Sequence, residues 1–228
     1  MKNKFIVIDT ETAPLPHCDG CDPLNMLVYD LGYIITDLDG IVYEKQSLVI
    51  RETFRNVDLM QSAYYANKIP AYVAGLMVGE WVEMPFVDAW KQLTNDCKKH
   101  GVKRAYAYNA RFDRDVLNTT IKHYSKGFKE CFLPYGVKWY DIMAFARNAY
   151  AKNKRFIKYC ELTGQMNSKG KPSMKAETLY RYLTRNVEFA EAHTAVKDCE
   201  IEADILRQCY KTNAKRPKTI GTFTPRQK

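Results

Sequence analysis

Apolar positions change their spacing along this chain, and the changes mark its elements. Phe5-Ile6-Val7-Ile8 run without a break and stop at Asp9-Thr10-Glu11. A short, unbroken run rich in Ile and Val reads as a strand buried on both faces. Thr12 to Asn25, with three prolines and Gly20, reads as a loop. Val28 to Thr36 is a second strand, Asp37-Leu38-Asp39-Gly40 a turn, and Ile41 to Ile50 a third strand, which together form a hairpin signal. The spacing then lengthens. Leu59, Ala63, Ala66, Tyr72 and Leu76 recur at helical intervals between Asp58 and Trp81. Pro85 to His100 is a helix by pattern, with Phe86, Trp90, Leu93 and Cys97 on one stripe and Gly101 just past its end. Lys103 to Tyr108 makes a fourth strand, Arg111 to Tyr124 a helix, and Val137 to Tyr140 a fifth strand followed by Asp141, placed to cap the next helix. Beyond it the helical stretches are Ile142 to Ala151, Arg155 to Leu162, Met174 to Leu183 and Thr194 to Tyr210, with a polar Gly- and Lys-containing loop at Gly164 to Ser173. Three strands in hairpin order, then strand–helix alternation, then helices predict an α/β fold with a mixed sheet flanked by helices.

Composition narrows this further. At 228 residues with 46% apolar character, the chain can bury one good-sized core. No uninterrupted apolar run approaches the roughly 18–20 residues of a membrane span. The amino terminus starts almost directly on a strand with no signal-peptide pattern, so a soluble, cytoplasmic protein with no membrane partner is expected. Seven cysteines, an odd number, fit reduced thiols rather than a disulfide framework. His17, Cys18 and Cys21 form one C-x-x-C preceded by a histidine; no second pair completes a zinc set, so a plain loop is expected there. The net charge is +9, and Lys211 to Lys228 holds six basic residues and no acid. Residues 1–210 are therefore read as a single domain and 211–228 as a basic, flexible tail suited to contacts with phosphates.

Candidate chemistry begins at the first strand. Period-2 geometry sends Asp9 and Glu11 to one side of its carboxyl end. Two carboxylates crowded there repel unless a cation lies between them, and a hard, oxygen-preferring ion such as Mg or Mn suits them. Asn109-Ala110-Arg111-Phe112-Asp113 opens a helix after a strand, the usual ligand crevice of α/β folds. Asn109 there is also a candidate cap, and Asp113 a complement to the helix dipole. His193-Thr194-Ala195-Val196-Lys197-Asp198 opens the last helix. At roughly 3.6 residues per turn, His193 and Asp198 converge only if His193 lies at or before the helix start, with Thr194 as a possible cap. Tyr64, Tyr65, Lys68 and Tyr72 read either as a stacking surface for bases or as part of two short helices packed on the sheet.

Taken in order, Asp-x-Glu, Asn-x-x-x-Asp and His-x4-Asp resemble the DEDDh subgroup of the DEDD 3′–5′ exonucleases, phage and bacterial type, over Phe5 to Tyr210. The resemblance implies an RNase H-like mixed five-stranded sheet, three antiparallel strands first and then two parallel. It implies that Asp9, Glu11, Asp113 and Asp198 hold two divalent ions, Mg or Mn, about 3.5–4 Å apart, with Asp9 shared. His193 is then the general base toward the attacking water. Backbone amides near Thr10 to Thr12 meet the terminal 3′ hydroxyl, Asn109 lies at the substrate, and Phe112 either wedges or stacks the last base or, the preferred role for an apolar side chain, packs in the core. The activity implied is 3′–5′ hydrolysis of single-stranded nucleic acid to nucleoside 5′-monophosphates. DNA is favoured over RNA, with a separate DNA polymerase or replication protein as a candidate partner. The same fold also serves exoribonucleases. A non-catalytic nucleic-acid-binding or docking module is the competing class. Such a module tends to lose a ligand, and here all four acids and the histidine are present. The segment 58–81 matches no particular subfamily.

Overall fold

The computed structural model describes residues 3–16, 18 and 22–221. Its organising strand is β1 (Phe5–Pro14), which pairs antiparallel with β2 (Met26–Thr36) on one side and parallel with β5 (Arg104–Ala107) on the other. Outside β2 lies β3 (Val42–Ile50), antiparallel to it, and then β4 (Val82–Met84), parallel to β3. Outside β5 lies β6 (Lys138–Asp141), parallel to it, and then β7 (Thr219–Ile220), antiparallel to β6. The sheet order is β4-β3-β2-β1-β5-β6-β7.

The expected mixed sheet is present with seven strands instead of five. The two additions are edge strands of three and two residues, too short to carry a period-2 pattern. β7 lies within the stretch read as a tail. Residues 211–221 stay on the body: Asn148 Nδ2 donates to the Lys215 carbonyl at 2.8 Å, and the Arg216 guanidinium sits 4.9 Å from the Tyr210 ring centroid. Residues 222–228 lie outside the described residues.

The helices are α1 (Arg51–Phe54), α2 (Val57–Gln61), α3 (Ile69–Val78), α4 (Phe86–His100), α5 (Arg111–Tyr124), α6 (Ile142–Tyr150), α7 (Lys154–Leu162), α8 (Ala176–Thr184) and α9 (Ala195–Tyr210). Alternation along β1 assigns them to two layers. Ile6 and Ile8 pack in a core with Phe86 and Leu93 of α4 and Val116 and Ile121 of α5. Phe5 and Val7 pack in a second core with Phe145 of α6 and Ile205 and Leu206 of α9. A third cluster seats the 58–81 segment, with Leu59, Tyr72 and Trp81 packed on Tyr29 and Val49.

Local signals hold where backbone chemistry is explicit. Gly101, at φ +65°, receives the end of α4, and Asp141 caps α6 by accepting the Ala144 N–H at 3.1 Å. Two expected caps are not used. Asn109 adopts φ +62° and makes no side-chain cap on α5, and Thr194 occupies the N-cap of α9 without a side-chain bond. β1 runs on to Pro14, three residues past the expected strand end. In the C-x-x-C stretch, Cys18 is a half-buried free thiol, while His17 and Cys21 lie outside the described residues.

Candidate active site

The register of β1 on β2 sets the site. Asp9 lies opposite Gly32 and Glu11 opposite Asp30, with a bulge between Glu11 and Thr12 beyond which pairing resumes with Thr12 opposite Val28. Gly32 is required by what crosses it. A Cβ there would lie 2.2 Å from both the carbonyl carbon of Ala195 and the amide nitrogen of Val196, so its absence lets the first turn of α9 rest directly on β2. The Cys199 thiol donates to the Gly32 carbonyl at 3.3 Å, and the Ala195 N–H donates to Asp30 Oδ2 at 3.0 Å. Asp30, fully buried, thus does the capping expected of Thr194. The same oxygen accepts the Tyr72 hydroxyl at 2.6 Å, which ties α3 to the start of α9.

This docking brings Asp198 to the end of β1. Carboxylate oxygens of Asp9, Glu11 and Asp198 all lie within 4.8 Å of one another. Asp113 arrives from the other layer. Thr10 points to the α5 side, and its hydroxyl donates to Asp113 Oδ1 at 2.9 Å, fixing an acid that is only 2% exposed. A fifth acid was not anticipated. Glu202 follows Asp198 by one turn on α9, is 3% exposed and accepts the Tyr108 N–H at 3.1 Å. The i,i+4 spacing from Asp198 is the signal that would have found it.

Burial and mutual repulsion hold these groups toward the protonated state. Burial, then the charges of Glu202 and Asp113, raise Asp9 well above the usual carboxylate range. Burial, then Asp30 and Asp198, push Glu11 to about 9. Burial takes Asp113 to about 7, and burial with Glu191 takes Asp198 to about 7. Asp198 Oδ1 is buried with no hydrogen-bond partner among the described residues. An orphaned carboxylate oxygen beside two more acids fits a hard divalent cation, which would neutralise the cluster and satisfy the free lone pairs.

His193 lies just ahead of α9 in the left-handed region, at φ +48°. It therefore sits before the helix start, the one arrangement in which it and Asp198 share a site. Its ring stacks on Tyr65, centroids 4.7 Å apart and planes 16° from parallel, and its Nδ1 is 3.8 Å from Glu191 Oε2. The Lys68 ammonium donates to the carbonyls of Ala192 and His193, the latter at 3.1 Å, and lies 4.7 Å from the Tyr65 ring centroid. Burial, then the Lys68 charge, lower the imidazole pKa below its ordinary 6.5. The 58–81 segment divides accordingly: Tyr72 is core at 1% exposure, Tyr64 is 83% exposed, and Tyr65 and Lys68 brace the histidine loop. Asn109 is exposed, its carbonyl accepting the Phe112 N–H at 2.9 Å, and Phe112 is half-buried against the α4–α5 core.

No protein-family model and no curated protein sequence matches the chain. Solved structures do. The nuclease domain of 3′hExo, a DEDDh family member bound to rAMP, superimposes with a TM-score of 0.63 at 10% identity, covering 97% of this chain and 98% of that one. The chain shares the fold of that nuclease domain. A 3′-exonuclease solved for 3′-end-specific recognition of histone mRNA stem-loop is similar too, with a TM-score of 0.62 at 9% identity, covering 99% and 94% of the two chains. Exonuclease I of E. coli in complex with a dA16 oligonucleotide gives 0.59 at 17% identity, covering 93% of this chain and 41% of the other. No helix is long and apolar enough to cross a membrane among the described residues.

Proposed function

We propose that the chain is a metal-dependent 3′–5′ exonuclease that removes nucleoside 5′-monophosphates from the 3′ end of single-stranded DNA. The observation that carries the reading is the meeting of Asp9, Glu11 and Asp198 within 4.8 Å, with Asp113 and His193 beside them, at the carboxyl end of the central strand of a DEDDh fold.

Asp9, Glu11, Asp113 and Asp198 would hold divalent ions, Mg or Mn. Bound there, such ions supply charge neutralisation of the phosphoryl oxygens and leaving 3′ oxygen and acidify water at neutral pH. The chain's own groups supply the rest. His193, kept neutral at pH 7 by burial and by Lys68, accepts a proton from the water that attacks the scissile phosphate. Tyr65 and Lys68 hold its loop, so the imidazole need not be ordered at each turnover. Thr10 keeps Asp113 from turning into the core, and Asp30 keeps α9 and its Asp198 seated. Thr10 to Thr12, at the bulge, and Phe112 flank the position of the terminal nucleotide.

An exoribonuclease is the second reading, since the 3′hExo structure holds rAMP and a similar 3′-exonuclease recognises an mRNA stem-loop, while Exonuclease I holds a DNA oligonucleotide. Parallel digestion of 5′-labelled single-stranded DNA, single-stranded RNA and blunt duplex decides between them. Faster stepwise loss from the DNA strand is expected; preferential loss from RNA would move the reading to the second class.

A further inference from the structure

We propose that the cleft leading away from the acids toward α6 and the 164–173 loop binds the phosphates of the substrate strand 5′ to the scissile bond. This rests on the exonuclease reading above. The cleft encloses about 1070 Å³, with Asp9 and Asp198 at its inner end. Beyond the acids of the site (Asp9, Asp198, Glu202), its walls carry four cations, Arg147 and Lys152 at the end of α6 and Lys171 and Lys175 on the 164–173 loop and the approach to α8, against two further acids, Glu161 and Glu191. All four are exposed, and none is in an ion pair with a carboxylate among the described residues. Unpaired positive charge converging on one cleft is the footprint of a polyanion. Tyr108, Met143 and Met166 give the same cleft an apolar floor on which bases can lie.

The loop is built to hold this shape. Asn167 closes its tip, its Oδ1 accepting the N–H groups of Lys169 and Lys171 at 2.9 and 3.0 Å. The Tyr108 hydroxyl, from the end of β5, donates to the Met174 carbonyl at 2.6 Å and fastens the loop to the wall of the site. A 3′–5′ exonuclease must close the side that takes the terminal nucleotide and leave open the side that takes the rest of the chain. Tyr65 and Lys68 pack on the His193 loop, and His193 itself lines the inner end of the cleft. The cleft runs from these residues toward α6 and the 164–173 loop, where a longer strand has room to lie.

The test separates the cleft from the chemistry with two substrates, a short oligothymidylate and the p-nitrophenyl ester of thymidine 5′-monophosphate, which has no second nucleotide. Arg147→Ala/Lys171→Ala/Lys175→Ala should weaken binding of 5′-fluorescein oligothymidylate in EDTA by at least about tenfold and lower its salt dependence. It should raise KM for the oligonucleotide while leaving ester hydrolysis within about twofold. Lys98→Ala/Lys103→Ala/Lys122→Ala, equal in charge and distant, should change neither. Equal losses in the two triple variants, or parallel losses on ester and oligonucleotide, would overturn the proposal. Wild-type protein that hydrolyses neither substrate would instead remove the exonuclease reading, and the anisotropy measurement would still decide whether the cleft binds a strand.

Discussion

Glu11 shows what the isolated residue tolerates for the sake of the site. It faces Asp30 across the β1–β2 ladder, lies 8% exposed and is pushed from 4.5 to about 9 by burial and its acidic neighbours. Glu11→Gln keeps the shape and removes the repulsion. It is expected to lower nuclease activity by at least about 100-fold. In the metal-free protein at about pH 8 it should raise Tm by about 2–4 °C, roughly 1 kcal/mol for a chain of this size. A matched loss of Tm would mean that the carboxylate serves packing instead of cation binding. His193 carries a second residue-scale prediction. The Lys68 charge helps hold its pKa below 6.5. Protonation removes the acceptor, so activity falls as pH drops through that pKa. Lys68→Ala returns the pKa toward 6.5, and the acid limb of the kcat/KM profile should move to higher pH; an unmoved limb would exclude His193 as the titrating base.

At the scale of elements, the decisive contact is α9 lying on β2. Gly32→Ala sets a methyl 2.2 Å from the backbone of Ala195 and Val196, so α9 must lift away from the sheet. A loss of more than about 3 kcal/mol by urea denaturation, or insoluble protein, is expected. Asp30→Ala leaves the Tyr72 hydroxyl and the Ala195 N–H without their acceptor and should cost about 2–5 kcal/mol. Asp30→Asn, which retains one acceptor oxygen, should cost less. The same contact explains what the sequence made legible. The apolar run at Phe5–Ile8, the helix at Arg111–Tyr124 and the Asp141 cap are local signals, and the structure repeats them. Asp30 was invisible because its partners are 42 and 165 residues away, and only tertiary contact shows that it outcompetes Thr194 as the cap. Lys68 and Tyr65 read as a stacking surface or as part of short helices packed on the sheet, and their bracing of the His193 loop, 125 residues on, was hidden for the same reason. β4 and β7 escaped because an edge strand of two or three residues is defined by its neighbour, not by its own pattern.

For the whole molecule, the acids make stability depend on pH in an unusual direction. Glu11, Asp113 and Asp198 have folded-state pKa values of about 9, 7 and 7, above the ordinary 4.5, 3.8 and 3.8. Between those limits the folded state binds more protons than the unfolded state, so metal-free stability falls as pH rises from about 5 to about 9. A divalent cation binds the ionised, folded cluster and opposes the fall. Tm measured in EDTA should decline over that range, and saturating Mg or Mn should restore several degrees at about pH 8. A flat profile in EDTA would mean that the acids are solvated instead of crowded together. The central claim is tested most directly by incubating the protein with a single-stranded DNA labelled at its 5′ end, with and without Mg, beside Asp9→Ala. A ladder shortening one nucleotide at a time from the 3′ end, dependent on the metal and lost in the variant, is expected. Cleavage that persists in Asp9→Ala, or a strand that stays intact in every divalent metal while still binding, would contradict it.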